Sequence, residues 1–286
     1  MISKKNLWNL ISVAFILFVI IGCTCNSTDD ETGNNRVNSE ETNNSTQNTG
    51  ENADNGDFVV EYVDVQNPRY RSINKSMREN GTLDKAANKL NRTLNLPYDI
   101  TLRAKDCNEV NAFYNPEDHS ITVCYELMEF FYKTFRGAGD DEPTANRHMN
   151  SAITFIFLHE LGHGLIDAYK LPITANEEDA ADRCSSYICI EELGDEGVQA
   201  VITAAQFFAM QTNANSNDAR VMADEHLMDG QRFFTSLCMI YGSNPNKYSD
   251  FVTKGMLPEA RAVRCPDEYR RTSDSWQLLL KPWRKQ

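Results

Sequence analysis

Cationic side chains are in deficit: 28 lysines and arginines face 41 aspartates and glutamates over 286 residues, a formal charge of −13. A surface so acidic repels phosphate backbones, which excludes nucleic acid as an expected partner. No Cys-x-x-Cys pair occurs, so a zinc site built from cysteines is unsupported. Nor does any uninterrupted apolar stretch reach the roughly 20 residues of a spanning helix; the run from Leu7 to Ile21 has about 15. No internal repeat is apparent.

What is present at the N-terminus is an export pattern. Lys4 and Lys5 precede the apolar run, which ends Ile20-Ile21-Gly22-Cys23. That ending resembles a bacterial lipobox, and residues 1–22 are expected to be a lipoprotein signal peptide. The resemblance implies lipidation of Cys23, with the membrane as partner through that lipid. It also implies a location in the cell envelope, with the domain outside the cytoplasmic membrane, in the periplasm or at the cell surface. From Thr24 to Asp57 there are eight acids, one arginine and almost no apolar side chains. Such a tract cannot offset its ordering entropy by burial, so residues 23–57 are expected to be a lipidated, disordered linker. Residues 58–286 are long enough to bury one core and are expected to form one monomeric domain.

Six cysteines remain in the domain, and an exported domain can oxidise them. Cys107 with Cys124 would tie two neighbouring strands, and Cys238 with Cys265 would clip the C-terminal region; spacing alone does not fix the connectivity. Cys184 and Cys189 are five apart on a predicted helix, on different faces, and read as buried thiols.

The order of elements predicts an α+β fold: a small, mostly antiparallel sheet, an active-site helix and a largely helical C-terminal lobe. A helix is predicted over 74–94, and strands over 100–104, 110–114 and 120–124, the last two joined by the turn Asn115-Pro116-Glu117-Asp118. Helices follow over 125–135, 145–168, 177–191, 198–211, 219–228, 231–241 and 266–280.

Within the helix predicted over 145–168 stands His159-Glu160-Leu161-Gly162-His163. Residues four apart on a helix share a face, so His159 and His163 can aim two imidazoles at one zinc ion. Glu160 flanks the first of them, placed to take a proton from a metal-bound water. Fifteen residues after His163, Glu178 and Asp182 are likewise one turn apart. Glu178 can complete a His-His-Glu set while Asp182 accepts the spare N–H of a histidine, though Asp182 as third ligand is an open variant. Glu177 and Asp179 read as the solvated face of that helix. Ala180 and Ala181 permit close approach of the two helices. Gly162 and Gly164 weaken the helix that carries them, which points to room for a packed neighbour or for substrate. His226, in the C-terminal lobe, is a candidate for stabilising the oxyanion.

The two helical motifs resemble the gluzincin pattern of zinc peptidases. Together with the segment 107–114, the segment Cys124-Tyr125-Glu126-Leu127 and Gln231-Arg232-Phe233-Phe234, they are most similar to an uncharacterised bacterial metallopeptidase family. That resemblance implies a zincin-like fold, Zn²⁺ at His159, His163 and Glu178, Glu160 as catalytic base and Asp182 behind a ligand. It also implies that a strand before the active helix, 110–114 or 120–124, pairs with an extended substrate. The expected activity is zinc-dependent hydrolysis of peptide bonds in a peptide or protein. The competing expectation is a metal-holding surface lipoprotein without turnover, a scaffold or adhesin; a third is a structural lipoprotein without metal.

Cys23→Ser should abolish incorporation of a labelled fatty acid and move the protein from the membrane to the soluble fraction. Labelling that persists in the variant would remove the lipid from Cys23.

Overall fold

The structure is a computed structural model that describes residues 54–174, 176–212 and 228–285. His226, Cys23, the signal peptide and nearly all of the helix expected over 219–228 lie outside the described residues.

Strand β1 (Phe58–Tyr62) is followed by a 3-10 turn and two helices, α1 (Arg71–Glu79) and α2 (Thr82–Asn91). The single helix predicted over 74–94 is thus two. Gly81 sits between them in the left-handed region, at φ 56°, which glycine adopts without a Cβ penalty. Strands β2 (Ile100–Lys105), β3 (Ala112–Asn115) and β4 (Ser120–Cys124) follow, and β3 and β4 form the expected antiparallel hairpin.

The fold is α+β, but the expectation of a mostly antiparallel sheet is overturned. Strand order is β1-β2-β4-β3, with β1–β2 and β2–β4 both parallel. After β2 the chain crosses to the far edge as β3, and the hairpin then folds β4 inward beside β2. Strand β1, not foreseen in the sequence, closes the other side.

One face of β2 buries Ile100, Leu102 and Ala104, in register with the pleat. Across it lies α4 (Glu142–Ala168), with Phe155, Leu158, Leu161 and Leu165 in the same core. The long helix starts earlier than predicted: Asp141 accepts a hydrogen bond from the Thr144 N–H, and Pro143 occupies the first turn, where it lacks no needed donor. Helix α3 (Tyr125–Gly137) packs against the first half of α4.

Beyond α4 come α5 (Glu177–Glu192), α6 (Gly194–Gln211), α7 (Asp229–Ser243), the one-turn helices α8 (Asp250–Thr253) and α9 (Glu259–Ala262), and α10 (Cys265–Leu280). Both anticipated disulfides are present. Cys107–Cys124 ties the loop after β2 to the end of β4, and Cys238–Cys265 clips α7 to α10. Cys184 and Cys189 are buried free thiols, as expected. At the domain's entrance, Asp54 to Asp57, which composition groups with the linker, are engaged. The Asn55 and Gly56 N–H groups donate to the Leu96 carbonyl, and Asp54 pairs with Lys285 at 2.7 Å.

The two glycines of α4 have distinct uses. A Cβ on Gly162 would stand 3.1 Å from Ala181 Cα and 3.2 Å from Cys184 Cβ, so α5 lies directly on the helix there. A Cβ on Gly164 would meet the Tyr114 ring at an ordinary 3.4 Å and Ile121 Cδ1 at 3.8 Å. Glycine-to-alanine changes inside helices usually stabilise by about 0.5–1 kcal/mol. Gly164→Ala should therefore raise the melting temperature, whereas Gly162→Ala should leave it unchanged or lower it. Equal stabilisation by both, measured by thermal unfolding, would contradict the close packing of α4 on α5.

Candidate metal centre

Helix α4 carries His159 and His163 on the face turned toward α5, one turn apart. Their rings meet edge to face at 74°, with Nε2 atoms 3.2 Å apart. Glu178 reaches the same point from the first turn of α5, whose N-terminus is capped by the Asn176 side chain accepting from the Glu178 N–H. One Glu178 carboxylate oxygen is 3.0 Å from His159 Nε2, and the other is 3.4 Å from His163 Nε2. Among the described residues, these three form a set whose ligand atoms lie within 4.8 Å of one another.

The opposite edge of each ring is engaged by a carboxylate. His159 Nδ1 is 2.8 Å from Asp182 Oδ1, and His163 Nδ1 is 2.7 Å from Glu177 Oε1. An ionised carboxylate only accepts, so each Nδ1 carries a proton, and each ring, once its Nε2 is deprotonated, presents that lone pair to the shared point. The choice between Glu178 and Asp182 is geometric: Glu178 faces the Nε2 atoms, and Asp182 lies behind the His159 ring. Asp182 in turn receives two hydrogen bonds from Arg232 on α7, Nε to Oδ2 and Nη2 to Oδ1, each 2.8 Å.

Glu160 is 8% exposed, and one carboxylate oxygen accepts the Tyr114 backbone N–H at 2.9 Å. In the β3–β4 register Phe113 faces Thr122, and Cys124 N–H donates to the Asn111 carbonyl. Hydrogen-bonded pairs alternate along an antiparallel ladder, so the Ala112 and Tyr114 N–H groups turn outward from the sheet. Glu160 takes the second of these. On the other edge of the sheet the Asn91 side chain bonds both the N–H and the carbonyl of Phe58, as a further strand would at that position.

The model of a family described as "Putative metallopeptidase" matches residues 62–280, from the end of β1 to the end of α10. The chain belongs to this family. No curated protein and no solved structure matches it. Membership of a metallopeptidase family implies a metal, and the match spans every residue of the cluster.

The donor set fits such an ion. Tetrahedral zinc with bonds of about 2.0–2.1 Å to nitrogen separates two nitrogens by about 3.3 Å, close to the observed spacing. Two lone pairs and a carboxylate meeting at one point also call for a positive charge between them. The protonation of the metal-free cluster says the same. Burial alone would push His159 down, yet its hydrogen bonds to Asp182 and Glu178 and the nearby carboxylate charges hold it up at about 9. Burial opposes charge on His163 as well, and Glu178 and Glu177 raise it. Glu160 is raised, chiefly by burial, against the lowering effect of the two imidazoles and the Tyr114 N–H. Burial would raise Asp182 too, but the Arg232 charge and the His159 bond keep it well below the ordinary carboxylate range.

Two participants were not legible as such in the sequence. Glu177 reads there as solvated and is indeed half exposed, yet it holds His163. Arg232 stands in the quoted Gln231-Arg232-Phe233-Phe234 run, where a buried cation among apolar residues is the signal that a partner exists. Its partner, 50 residues away, is not marked by any local pattern.

In the metal-free protein a divalent ion must displace protons from these imidazoles. Apparent zinc affinity should therefore rise as pH increases from the ordinary histidine value of 6.5 toward about 9. A competition titration against a chromophoric chelator checks this; a flat profile across the window would contradict it.

Proposed function

We propose that this member of the metallopeptidase family hydrolyses peptide bonds with zinc held by His159, His163 and Glu178. The observation that carries the reading is the convergence of both imidazole Nε2 atoms and a Glu178 carboxylate on one point, with the Glu160 carboxylate beside it. Zinc bound there supplies Lewis acidity, polarising the scissile carbonyl and lowering the pKa of a nearby water. Glu160 takes the proton of the attacking water as the carbon–oxygen bond forms. As the carbon–nitrogen bond breaks, the same carboxyl group returns that proton to the departing amine. Burial raises Glu160, which strengthens it as a base, and the Tyr114 N–H orients it.

Strand β3 is the substrate-pairing edge in this reading. Its outward Ala112 N–H and carbonyl are available to an extended peptide, while on the far edge Asn91 occupies the N–H and carbonyl of Phe58. The predicted pairing over 110–114 is favoured over 120–124, because β4 lies between β2 and β3 with neither edge free. A lipid on Cys23 tethers the domain outside the cytoplasmic membrane, and the linker gives it reach. Support for that location comes from the disulfides Cys107–Cys124 and Cys238–Cys265, which persist in oxidising compartments.

Glu160→Gln should retain zinc by elemental analysis and lower kcat on unfolded protein substrates by about 10²–10⁴-fold. Full activity in the variant would remove Glu160 as the base. A native protein that binds zinc yet cleaves nothing in a peptide library would instead establish the metal-holding scaffold.

A further inference from the structure

Arg232 has no part in the reaction as derived above, yet it bonds the carboxylate that holds His159. It lies on α7, in the helical lobe, and crosses to Asp182 on α5. Both side chains are nearly withdrawn from water, 11% and 12% exposed. Among the described residues, Arg232 is the one lysine or arginine paired with Asp182.

A carboxylate's terminal torsion is broad, so an aspartate behind a histidine does not by itself define the plane of its acceptor. Here the plane is set from outside. Arg232 Nε and Nη2 make two parallel bonds of 2.8 Å to the two oxygens, the fork-to-fork geometry that locks a carboxylate against rotation. The Oδ1 atom so fixed also accepts from His159 Nδ1 at 2.8 Å. The guanidinium itself lies over the buried Phe208 ring on α6, its carbon 4.1 Å from the ring centre. Helix α7 is anchored by buried Leu237 and Ile240 and by the Cys238–Cys265 bond to α10.

We infer that Arg232 is a positioning residue for the metal centre: it orients Asp182, and through Asp182 the His159 ring, so that Nε2 faces the point shared with His163 and Glu178. The inference rests on the zinc reading above. It makes the C-terminal lobe part of the metal centre, since one ligand's orientation is fixed from α7.

The test uses the full chain carrying Arg232→Met or Arg232→Lys. Zinc affinity is measured by chelator competition, ligand geometry by the visible spectrum of the Co²⁺-loaded protein, and folding by far-ultraviolet circular dichroism and melting of the metal-free form. Loss of a partner behind a metal ligand typically weakens binding about 10–100-fold, and that drop is expected for Arg232→Met with an altered cobalt spectrum. Lysine keeps the charge but not the planar fork, so Arg232→Lys should recover only part of the affinity. A folded variant with native affinity and spectrum, or with tighter binding, overturns the inference, even if its melting temperature falls. Should Arg232→Met fail to fold, Arg232→Lys decides by the same criteria. A native protein that binds no zinc defeats the functional reading and this inference together. Zinc binding that is equal in native and variant proteins defeats this inference alone.

Discussion

Helices α4 and α5 pack tightly at Gly162, where an added side-chain carbon would stand only 3.1 Å from Ala181 Cα. The whole site depends on that contact. His159 and His163 lie on either side of Gly162 along α4, and Glu178 stands in the first turn of the helix that presses on it. A wider spacing would withdraw the Glu178 carboxylate from the imidazoles. Small residues on both helices, Gly162 and Ala181, thus convert a helix–helix contact into a three-armed cluster. The same contact buries Cys184, whose thiol is pushed far above its ordinary value by that burial and so is inert packing.

Charge is the second constraint. Glu160, Glu177, Glu178 and Asp182 surround two imidazoles, and Arg232 balances one of the four. A buried excess of carboxylates is costly unless positive charge is brought in. In the metal-free protein that charge is a proton on His159, which explains why the imidazole stays charged despite its burial. A divalent cation satisfies the same need more fully, and proton and metal therefore compete for one place. The cluster has two levels: inner donors that face the shared point, and outer groups that hydrogen-bond to the donors from behind. Glu177 and the Asp182–Arg232 pair form the outer level, the first half exposed and the second out of water.

The sheet gives the cluster its opening. Because the β3–β4 hairpin folds inward, β3 is left at an edge next to α4, and its outward N–H at Tyr114 is within reach of Glu160. The Tyr114 ring lies over Gly164, and its hydroxyl donates to Asp167, one turn beyond His163. The strand is thus fixed to the active helix by backbone and side chain alike. On the opposite edge, the Asn91 bonds to Phe58 occupy backbone groups that would otherwise be open to unwanted strand pairing.

The helical motifs were legible because their information is local. A four-residue spacing puts His159 with His163 and Glu178 with Asp182 on shared faces whatever else the chain does, and apolar periodicity announced the helices that carry them. The α+β class and the hairpin followed from similarly short-range patterns, whereas the two cysteine pairs were candidates whose connectivity spacing left open. Tertiary structure alone decided the rest, since it depends on which distant segments meet. The parallel pairings of β2 require β1 and β4 to arrive from other parts of the chain, and no alternation within β2 encodes them. The assignment of Glu178 to the inner face and Asp182 to the outer one needs the rotation of α5 about its axis, which packing on Gly162 sets. Arg232 belongs to the site only because the lobe folds back over α5, and a salt bridge spanning 50 residues leaves no trace in local spacing.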